Sequence, residues 1–291
     1  MKKIAFLFLT LDNPHFPKIW NKYFKNNKDK YNIYIHPKYP DKLTWKKKCM
    51  IKNLKNTAWG FITEAYIELL KAAYLDKDNY KFITISESCI PIQSFDKFYN
   101  EVIKDPRSWI KTMRISKYDQ ESRLKVQWDN SLKCYKKLDN TNTKTNINTT
   151  KNPCLNFIKH YARFCLNRDH VKILLTKNLK FYHEMQVADE FFLSSLYPLK
   201  DYKDVEVTFD DWEWTEEQKN IIKDKIKKTS DEDKIKKLKL EFDNIAKSPK
   251  TIIDIEEDLE KIKKTKTFFY RKFGKTSNIE KYWNEIIKSH T

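Results

Sequence analysis

Glycine is nearly absent from this chain of 291 residues, which has only Gly60 and Gly274. The phosphate-binding loops of nucleotide-binding folds need closely spaced glycines, because the backbone N–H groups must approach the phosphates. Neither a GxGxxG nor a GxxxxGK[ST] segment occurs. The sequence therefore offers no support for a phosphate site built on a glycine-rich loop.

Paired cysteines are missing as well. The five cysteines form no CxxC pair, are odd in number, and stand at positions 49, 89, 134, 154 and 165. No HExxH segment and no close group of histidines and cysteines is present. These spacings support neither a zinc site nor a scaffold held together by disulfides.

Long apolar runs are also missing. The run over residues 4–11 is far shorter than the roughly 20 residues that cross a bilayer, and it lacks a small-residue cleavage site. We therefore expect a soluble protein without a transmembrane segment. Its expected location is the cytoplasm, which for a viral protein means the host cytoplasm or the virion.

Arginine is scarce although the chain is basic. The formal net charge is +18, but only six arginines are present, so lysine carries nearly all the positive charge. Proteins that bind nucleic acids more often cluster arginine or alternate basic and aromatic residues on one face. We do not expect a nucleic-acid partner, although a basic nucleic-acid-binding protein stays an alternative. Abundant Lys, Asn and Ile are typical of an AT-rich genome, and a giant virus is one source that this composition permits.

Apolar segments of two periodicities alternate along the first half of the chain. The continuous apolar run at residues 4–10 is typical of a strand buried on both faces, and residues 31–36 and 80–85 predict two further strands. Apolar stripes at helical spacing lie between them, around Trp20 and Leu69. The alternation predicts an α/β fold with βαβ units and a mainly parallel central sheet flanked by helices.

The second half is less regular, and we interpret the whole chain, residues 1–291, as one domain. Residues 139–152 contain no large apolar side chain except Ile147 and predict a flexible loop. A lysine-rich stretch at residues 215–247 predicts a helical insert that forms a hairpin on the surface. Further patterns predict strands at 109–112, 161–166, 205–209 and 268–273, and helices at 169–175, 189–196 and 279–287.

The polar segment Ser86-Glu87-Ser88 directly follows the apolar run at residues 80–85. In an open α/β sheet, ligands bind at the carboxyl ends of the strands. Metal-dependent sugar-nucleotide enzymes usually carry Asp-x-Asp at such a position, where the two carboxylates bind the cation. Asp76-Lys77-Asp78 has that spacing but follows a helix, and Asp210-Asp211 is a second weak candidate. The sequence therefore predicts no metal site.

Seven segments, taken in order, resemble the core-2/I-branching β-1,6-N-acetylglucosaminyltransferases of glycosyltransferase family 14, and the plant-type branch most closely. The resemblance covers roughly residues 3–275 and fails over the Asn/Thr-rich loop and the lysine-rich insert. The segments are Ile4-Ala-Phe-Leu-Phe-Leu-Thr, Tyr34-Ile-His-Pro, Trp59-Gly60, Ser86-Glu-Ser-Cys-Ile-Pro, Asp189-Glu190, Phe209-Asp-Asp-Trp212 and Arg271-Lys-Phe.

This resemblance implies a GT-A-type fold and an inverting, metal-independent transfer of a sugar, such as N-acetylglucosamine, from a UDP-sugar to a glycan or glycoprotein acceptor. Glu190 matches the family's catalytic base, and inversion needs one carboxylate to take the proton of the acceptor. A structural alternative is that Asp189 and Glu190 complement the dipole of a helix over residues 189–196, with Asp189 as its cap.

Without a metal, fixed positive groups must stabilise the departing UDP. Lys272 matches a basic family residue with this role, Lys250 is the candidate partner by spacing, and Arg271 is the reserve. The alternative for each is a solvated surface charge.

The remaining candidates are aromatic or polar residues near predicted strand ends. Trp212 and Trp214 resemble aromatic residues of the acceptor site, and in an extended chain both rings would share one face. His36 and Trp59 are candidates for the nucleotide or donor pocket, as are Glu87 and Ser88. Core packing is the alternative for the tryptophans and for His36.

A third interpretation is a non-catalytic module that binds UDP or glycan without turnover. It stays open because the chain lacks the membrane anchor and the cysteines of family members in the secretory pathway. No oligomeric state is predicted.

Overall fold

The structure, a computed structural model, describes residues 1–137, 155–183, 185–245 and 248–290. The loop predicted at residues 139–152 lies outside the described residues. The chain folds into two units. The first unit comprises Met1–Asp12, Asp29–Ile85 and Glu101–Val207, and the second unit comprises Asn13–Lys28, Ser86–Asn100 and Thr208–Thr291.

Strands and helices alternate in the first part of the chain, up to residue 86. The strands are β1 Lys3–Thr10, β2 Tyr31–Pro37, β3 Asn79–Ser86, β4 Ile90–Pro91, β5 Ser108–Trp109, β6 Thr112–Met113, β7 Val126–Asp129, β8 Cys134–Lys137, β9 Lys159–His160, β10 Cys165–Asn167, β11 Tyr202–Lys203, β12 Thr208–Asp210 and β13 Phe269–Arg271. The helices are α1 Pro17–Tyr23, α2 Thr63–Tyr74, α3 Phe95–Lys104, α4 Arg168–Thr176, α5 Trp212–Lys227, α6 Glu232–Ile245, α7 Leu259–Lys264 and α8 Ile279–Ser289.

The first unit is built on a six-stranded sheet in the order β11-β5-β10-β3-β1-β2. The pairs β1–β2 and β5–β11 are parallel, whereas β10 runs antiparallel to both of its neighbours. Residues Ile4 to Phe8 of β1 are fully buried, as expected for a strand covered on both faces. The predicted α/β class and mainly parallel central sheet are thus confirmed.

The core of the first unit joins this sheet to α2 and to the segment after Glu190. Phe82, Phe164 and Tyr66 are fully buried, and so are Phe191 and Phe192. Burial of these large apolar side chains is worth roughly 2 kcal/mol each. The chain that follows Glu190 is therefore fixed by the core.

The second unit contains a three-stranded sheet in the order β12-β13-β4 and an aromatic core. Trp20 of α1 stacks on Phe24 and on Phe269 of β13, with ring centroids 5.6 and 6.0 Å apart. The helices α5 and α6 form the predicted lysine-rich helical pair. Whether this pair is an insert relative to the family stays a prediction, as does the assignment of one domain.

Several predicted elements are shorter or divided in the structure. The strand predicted at 109–112 is divided into β5 and β6, and the one at 161–166 gives way to β9 and β10. The strand predicted at 205–209 is only β12. Apolar runs of four to six residues do not define where backbone pairing stops, because burial and pairing are separate requirements.

Cys49, Cys89 and Cys165 are free thiols, and Cys134 is disulfide-bonded. No pattern in the sequence indicated this bond. No helix within the described ranges is long and apolar enough to cross a membrane.

Candidate active site

Glu190 lies in a short 3₁₀ turn, Ala188–Glu190, followed by a second 3₁₀ helix, Phe192–Leu196. The prediction of one helix over residues 189–196 was therefore wrong in type. Asp189 is also not a cap, because it lies inside the turn, and Val187 precedes that turn with a φ of 60°. The apolar run that suggested a helix is explained by burial of the two 3₁₀ segments in the core.

Two cations contact Glu190 within the first unit. Nη1 of Arg123 lies 3.3 Å from Oε2 of Glu190, and Nζ of Lys159 lies 3.6 Å from the same oxygen. Both cations also contact Asp119, each at 2.9 Å. Arg123 and Asp119 belong to a π-helical turn, Asp119–Leu124, and Lys159 belongs to β9.

The two carboxylates of this cluster have opposite pKa shifts. Burial, followed by the nearby Asp189 charge, raises the pKa of Glu190, and the cations Lys159 and Arg123 offset only part of that rise. The pKa of Asp119 is lowered. Burial alone would raise it, but hydrogen bonds from Lys159 and Ser116 outweigh the effect of burial. Carboxyl pairs whose environments separate their pKa values are common where proton transfer occurs.

Trp59 and Gly60 lie beside the Glu190 turn. The Val187 N–H donates to the Gly60 carbonyl at 2.6 Å. Gly60 has a φ of +78°, and a Cβ there would lie 2.8 Å from Cγ of Gln186, so glycine is required both for conformation and for space. Trp59 is 64% exposed. The Trp-Gly segment therefore supports the Glu190 turn and presents an indole ring to solvent.

His36 is fully buried at the end of β2. Its Nε2 accepts a hydrogen bond from the Lys55 N–H at 2.8 Å, and burial lowers its pKa. The ring thus holds the Lys55 segment, and this geometry favours the structural alternative over direct contact with a nucleotide.

The polar turn after β3 contacts the end of β13 inside the second unit. The Phe273 N–H donates to the Ser88 carbonyl at 3.1 Å. Nδ1 of His15 lies 2.8 Å from the Phe273 carbonyl, and its Nε2 lies 3.7 Å from Oε1 of Glu87. Glu87 and Ser88, two predicted donor-pocket residues, are therefore adjacent to the residue that follows Lys272.

Lys272 and the segment around Lys250 lie side by side. Nζ of Lys272 donates to Oγ of Ser248 at 3.0 Å, and the Ile252 N–H donates to the Lys272 carbonyl at 2.8 Å. Lys250 forms an ion pair of 2.7 Å with the buried Asp258. The structure thus brings together the two segments that sequence spacing paired.

Arg271 points to a different partner, Asp210, at 3.2 Å. The neighbouring Asp211 is 1% exposed, and both of its carboxylate oxygens lie 2.9 Å from Nζ of Lys261. Asp211 and Asp210, the second weak metal candidate, are therefore both engaged with cations.

Trp212 and Trp214 are not in an extended chain. Helix α5 begins at Trp212, so the two residues are separated by about 200° around the helix and do not share a face. The predicted extended geometry was therefore wrong. Asp211 caps α5, so the chain is already helical at Trp212. Both tryptophans are half-buried, and Nζ of Lys250 lies 6.0 Å from the Trp214 ring. Their role toward an acceptor stays a prediction.

Sequence reasoning missed four residues of these clusters: Asp119, Arg123, Lys159 and His15. Asp119 and Arg123 stand four positions apart, a spacing that brings opposite charges together on a helix and that could have indicated them. Lys159 and His15 have no local signal, since tertiary structure alone places them.

The carboxylate pair Asp76 and Asp78, the first metal candidate, is engaged elsewhere. Asp76 accepts from Asn32, and Asp78 pairs with Lys3. Over the described ranges, no three His, Cys, Asp or Glu side chains are grouped as ligands of a metal ion.

Two similarities to individual proteins are short or weak. A stretch of 118 residues, 37% of this chain, is 25% identical to a rice protein (Oryza sativa subsp. japonica) named Glycosyltransferase BC10, and it spans 30% of that protein's length. A solved structure, "Crystal Structure of A197 from STIV", aligns with a TM-score of 0.26 and 12% identity over 58% of this chain and 67% of that one. The second likeness is too weak to support an assignment of fold.

The match to a family is much broader. The model of the family described as "Core-2/I-Branching enzyme" matches residues 4–242, a range that includes Trp59-Gly60, the Ser-Glu-Ser turn and Glu190. The plant relative agrees with the resemblance to the plant-type branch. The chain belongs to the Core-2/I-branching enzyme family, whose members are glycosyltransferases.

Proposed function

We propose that this protein is an inverting, metal-independent glycosyltransferase of GT-A type. It transfers a sugar, N-acetylglucosamine in our proposal, from a UDP donor to a hydroxyl group of a glycan or glycoprotein. The observation that carries the proposal is Glu190, whose side chain is 26% exposed and whose pKa is raised. The residues that follow it are buried in the core, and the chain belongs to a family of glycosyltransferases.

Glu190 is the general base in this proposal. The acceptor oxygen attacks the anomeric carbon from the side opposite UDP, and the bond between that carbon and the β-phosphate oxygen breaks. The electron pair leaves with UDP, and the acceptor proton passes to Glu190. One carboxylate is sufficient, because a single displacement forms no glycosyl-enzyme intermediate. A raised pKa makes Glu190 a stronger base than an ordinary surface carboxylate.

Lys272 and Lys250 balance the charge of the departing diphosphate, and Arg271 stays in reserve. Lys272 is oriented by Ser248, and Lys250 is oriented by the buried Asp258. Positive groups that are already ordered stabilise a leaving group without reorganisation. The Ser-Glu-Ser turn, rather than Asp-x-Asp, adjoins this strand end, and this supports a reaction without a metal ion.

Trp59 in the first unit is proposed to contact the donor, and so are Glu87 and Ser88 in the second unit, whereas Trp212 and Trp214 are proposed for the acceptor. Aromatic faces suit the apolar face of a pyranose ring. The exposed indole of Trp59 is suitable for such stacking, because it projects from the segment that supports the Glu190 turn.

Replacement of the base tests the proposal. We expect Glu190→Gln to bind UDP like the unchanged protein but to lose transfer by about 10²- to 10⁴-fold, since the amide cannot accept the proton. UDP release and glycan product are measured for a panel of UDP-sugars, with and without EDTA, and EDTA should leave the rate unchanged.

Glu101→Gln is the matched control, because it makes the same chemical change at an exposed position of the first unit. Near-normal turnover of Glu190→Gln would remove Glu190 from the role. Strict dependence on Mn²⁺ would contradict the metal-independent mechanism, and binding of UDP or glycan without any turnover would favour the non-catalytic module.

A further inference from the structure

Asp119 is one of the most deeply buried carboxylates of the first unit, and the proposed mechanism does not use it. The residue is 1% exposed. Ser116 fixes it from both directions, because the Ser116 N–H and Oγ donate to Oδ2 while the Asp119 N–H donates back to Ser116 Oγ at 3.1 Å. These three hydrogen bonds orient the Asp119 carboxylate.

Each oxygen of the Asp119 carboxylate contacts a different cation. Oδ1 accepts from Nη1 of Arg123, and Oδ2 accepts from Nζ of Lys159, each at 2.9 Å. The same two nitrogens have Oε2 as their closest oxygen of Glu190, at 3.3 and 3.6 Å. Within the part of the chain that the structure describes, Oε2 of Glu190 accepts a hydrogen bond from Arg123 and Oε1 accepts none.

We infer that Asp119 is a positioning residue that holds Arg123 and Lys159 against Oε2 of Glu190 and so leaves Oε1 to take the acceptor proton. The inference rests on the proposed function, in which Glu190 is the base. We call Asp119, Arg123 and Lys159 the carboxylate frame. The frame fixes the rotation of the Glu190 carboxylate, so that one oxygen is anchored and the other is presented.

The frame also explains how a base can lie beside two cations. Two unshared cations would favour the ionised form of Glu190 and weaken it as a base. Asp119 lies closer to both cations and takes most of their charge. The pKa of Asp119 is lowered accordingly, whereas that of Glu190 is raised by burial and by Asp189.

Charged groups on three elements shift the pKa of Glu190. Together they determine how that pKa would change if residue 119 were neutral. Asp189 lies in the same 3₁₀ turn, Lys159 comes from β9, and Arg123 and Asp119 come from the π-helical turn. Removal of the Asp119 charge leaves both cations to Glu190, so the pKa of Glu190 must fall.

The test is the Asp119→Asn variant of the full chain, which keeps the size of the side chain and removes its charge. We expect the pKa of Glu190 to fall by about one unit, as for a carboxylate that gains an opposite charge nearby. The acid limb of the kcat profile against pH should move to lower pH by the same amount. On the plateau, kcat should fall about threefold to tenfold because the base is weaker, with the KM for the donor unchanged.

Residue-specific ¹³C NMR of the Glu190 carboxyl carbon measures its pKa directly in the folded protein and does not require turnover. Asp119→Glu, which keeps the charge, should restore the acid limb. Asp129→Asn is the matched control, because Asp129 also forms an Asp–Lys pair, at 2.7 Å with Lys136, but does not contact Glu190.

An unchanged Glu190 pKa in Asp119→Asn would overturn the inference, and so would an equal fall in Asp129→Asn. The two proposals fail separately. If the unchanged protein releases no UDP from any donor, the proposed function is wrong, whereas the NMR titration still shows whether Asp119 controls the charge of Glu190.

Discussion

At the scale of single residues, His160 is the clearest case of a titratable group held in one state. The ring is fully buried, its Nδ1 donates to the Tyr161 carbonyl at 2.9 Å, and its Nε2 accepts from the Leu193 N–H at 3.4 Å. One nitrogen must donate and the other must accept, so only the neutral ring satisfies both bonds. Burial lowers the pKa of His160 to about 4.

The first prediction concerns the pH dependence of stability. Between pH 6.5 and about 4 the unfolded chain binds a proton at His160 that the folded chain does not. The contribution of His160 is therefore complete above pH 6.5 and is lost as the pH falls through 4. NMR titration of the His160 ring should give a midpoint near 4 in the folded protein and near 6.5 in urea. A folded-state midpoint near 6.5 would contradict the assignment.

Residues of the candidate site could be predicted only where a short motif contains them. Glu190 became a candidate through the motif Asp189-Glu190, and Lys272 through the motif Arg271-Lys-Phe. The partners of Glu190 could not be predicted, because Arg123 and Lys159 are 67 and 31 positions away along the chain and only folding brings them to one oxygen.

At the scale of elements, the residue that caps α5, Asp211, also contacts the segment that contains Lys250, a candidate for binding the diphosphate. Asp211 accepts from the Trp214 N–H at 3.3 Å and binds Lys261, and its carbonyl accepts from the Lys250 N–H at 3.0 Å. A buried cap with an ion pair contributes more to stability than an exposed one, because its loss also leaves a buried group without a partner.

The second prediction follows from that difference. Asp211→Ala should lower the free energy of unfolding by about 2 kcal/mol, and Asp231→Ala by about 0.5 to 1 kcal/mol. Asp231 is the matched control, since it accepts from the Lys234 N–H at 3.0 Å at the start of α6 but is exposed. Urea unfolding measures both, and equal losses would mean that the Lys261 pair adds nothing.

Elements with a strong period were predictable, and those without one were not. The strand β1 and the helices α2 and α8 follow from runs and stripes that agree with burial. The 3₁₀ segments around Glu190 could not be told from an α-helix, because a short buried apolar run looks the same in both. The helical start at Trp212 was missed because Asp211 was interpreted as the end of a strand and not as a cap.

At the scale of the whole molecule, the charge of +18 has two explanations that make different predictions. In a nucleic-acid-binding protein, the lysines act together, and binding falls steeply with salt. In a glycosyltransferase, a few ordered lysines bind one nucleotide diphosphate. The second explanation predicts that UDP binding depends mainly on the charge of Lys272 and its neighbours, and little on the other lysines.

The third prediction separates these explanations. UDP at about 100 times its Kd should raise the free energy of unfolding by about 2.7 kcal/mol, measured as a higher Tm. Lys272→Met should weaken UDP binding about tenfold or more, because it removes a charge-assisted bond. Lys266→Met, which removes an exposed lysine of the same unit, should leave UDP binding unchanged.

Equal effects of the two lysine variants would contradict a specific site. DNA or RNA retention that depends steeply on salt, without any effect of UDP on Tm, would favour the nucleic-acid-binding alternative. The family match makes the glycosyltransferase explanation the starting point, because it covers most of the chain, whereas net charge reflects composition.

The contact between Gly60 and Val187 bears on how the proposed activity could be engineered. The turn that bears the proposed base is hydrogen-bonded to Gly60, more than a hundred positions earlier in the chain. Mutational libraries aimed at new acceptors should therefore keep glycine at position 60. Randomising Trp59 while its neighbour stays glycine would vary the exposed surface and spare the register of the base. Libraries that include position 60 should instead be dominated by inactive clones.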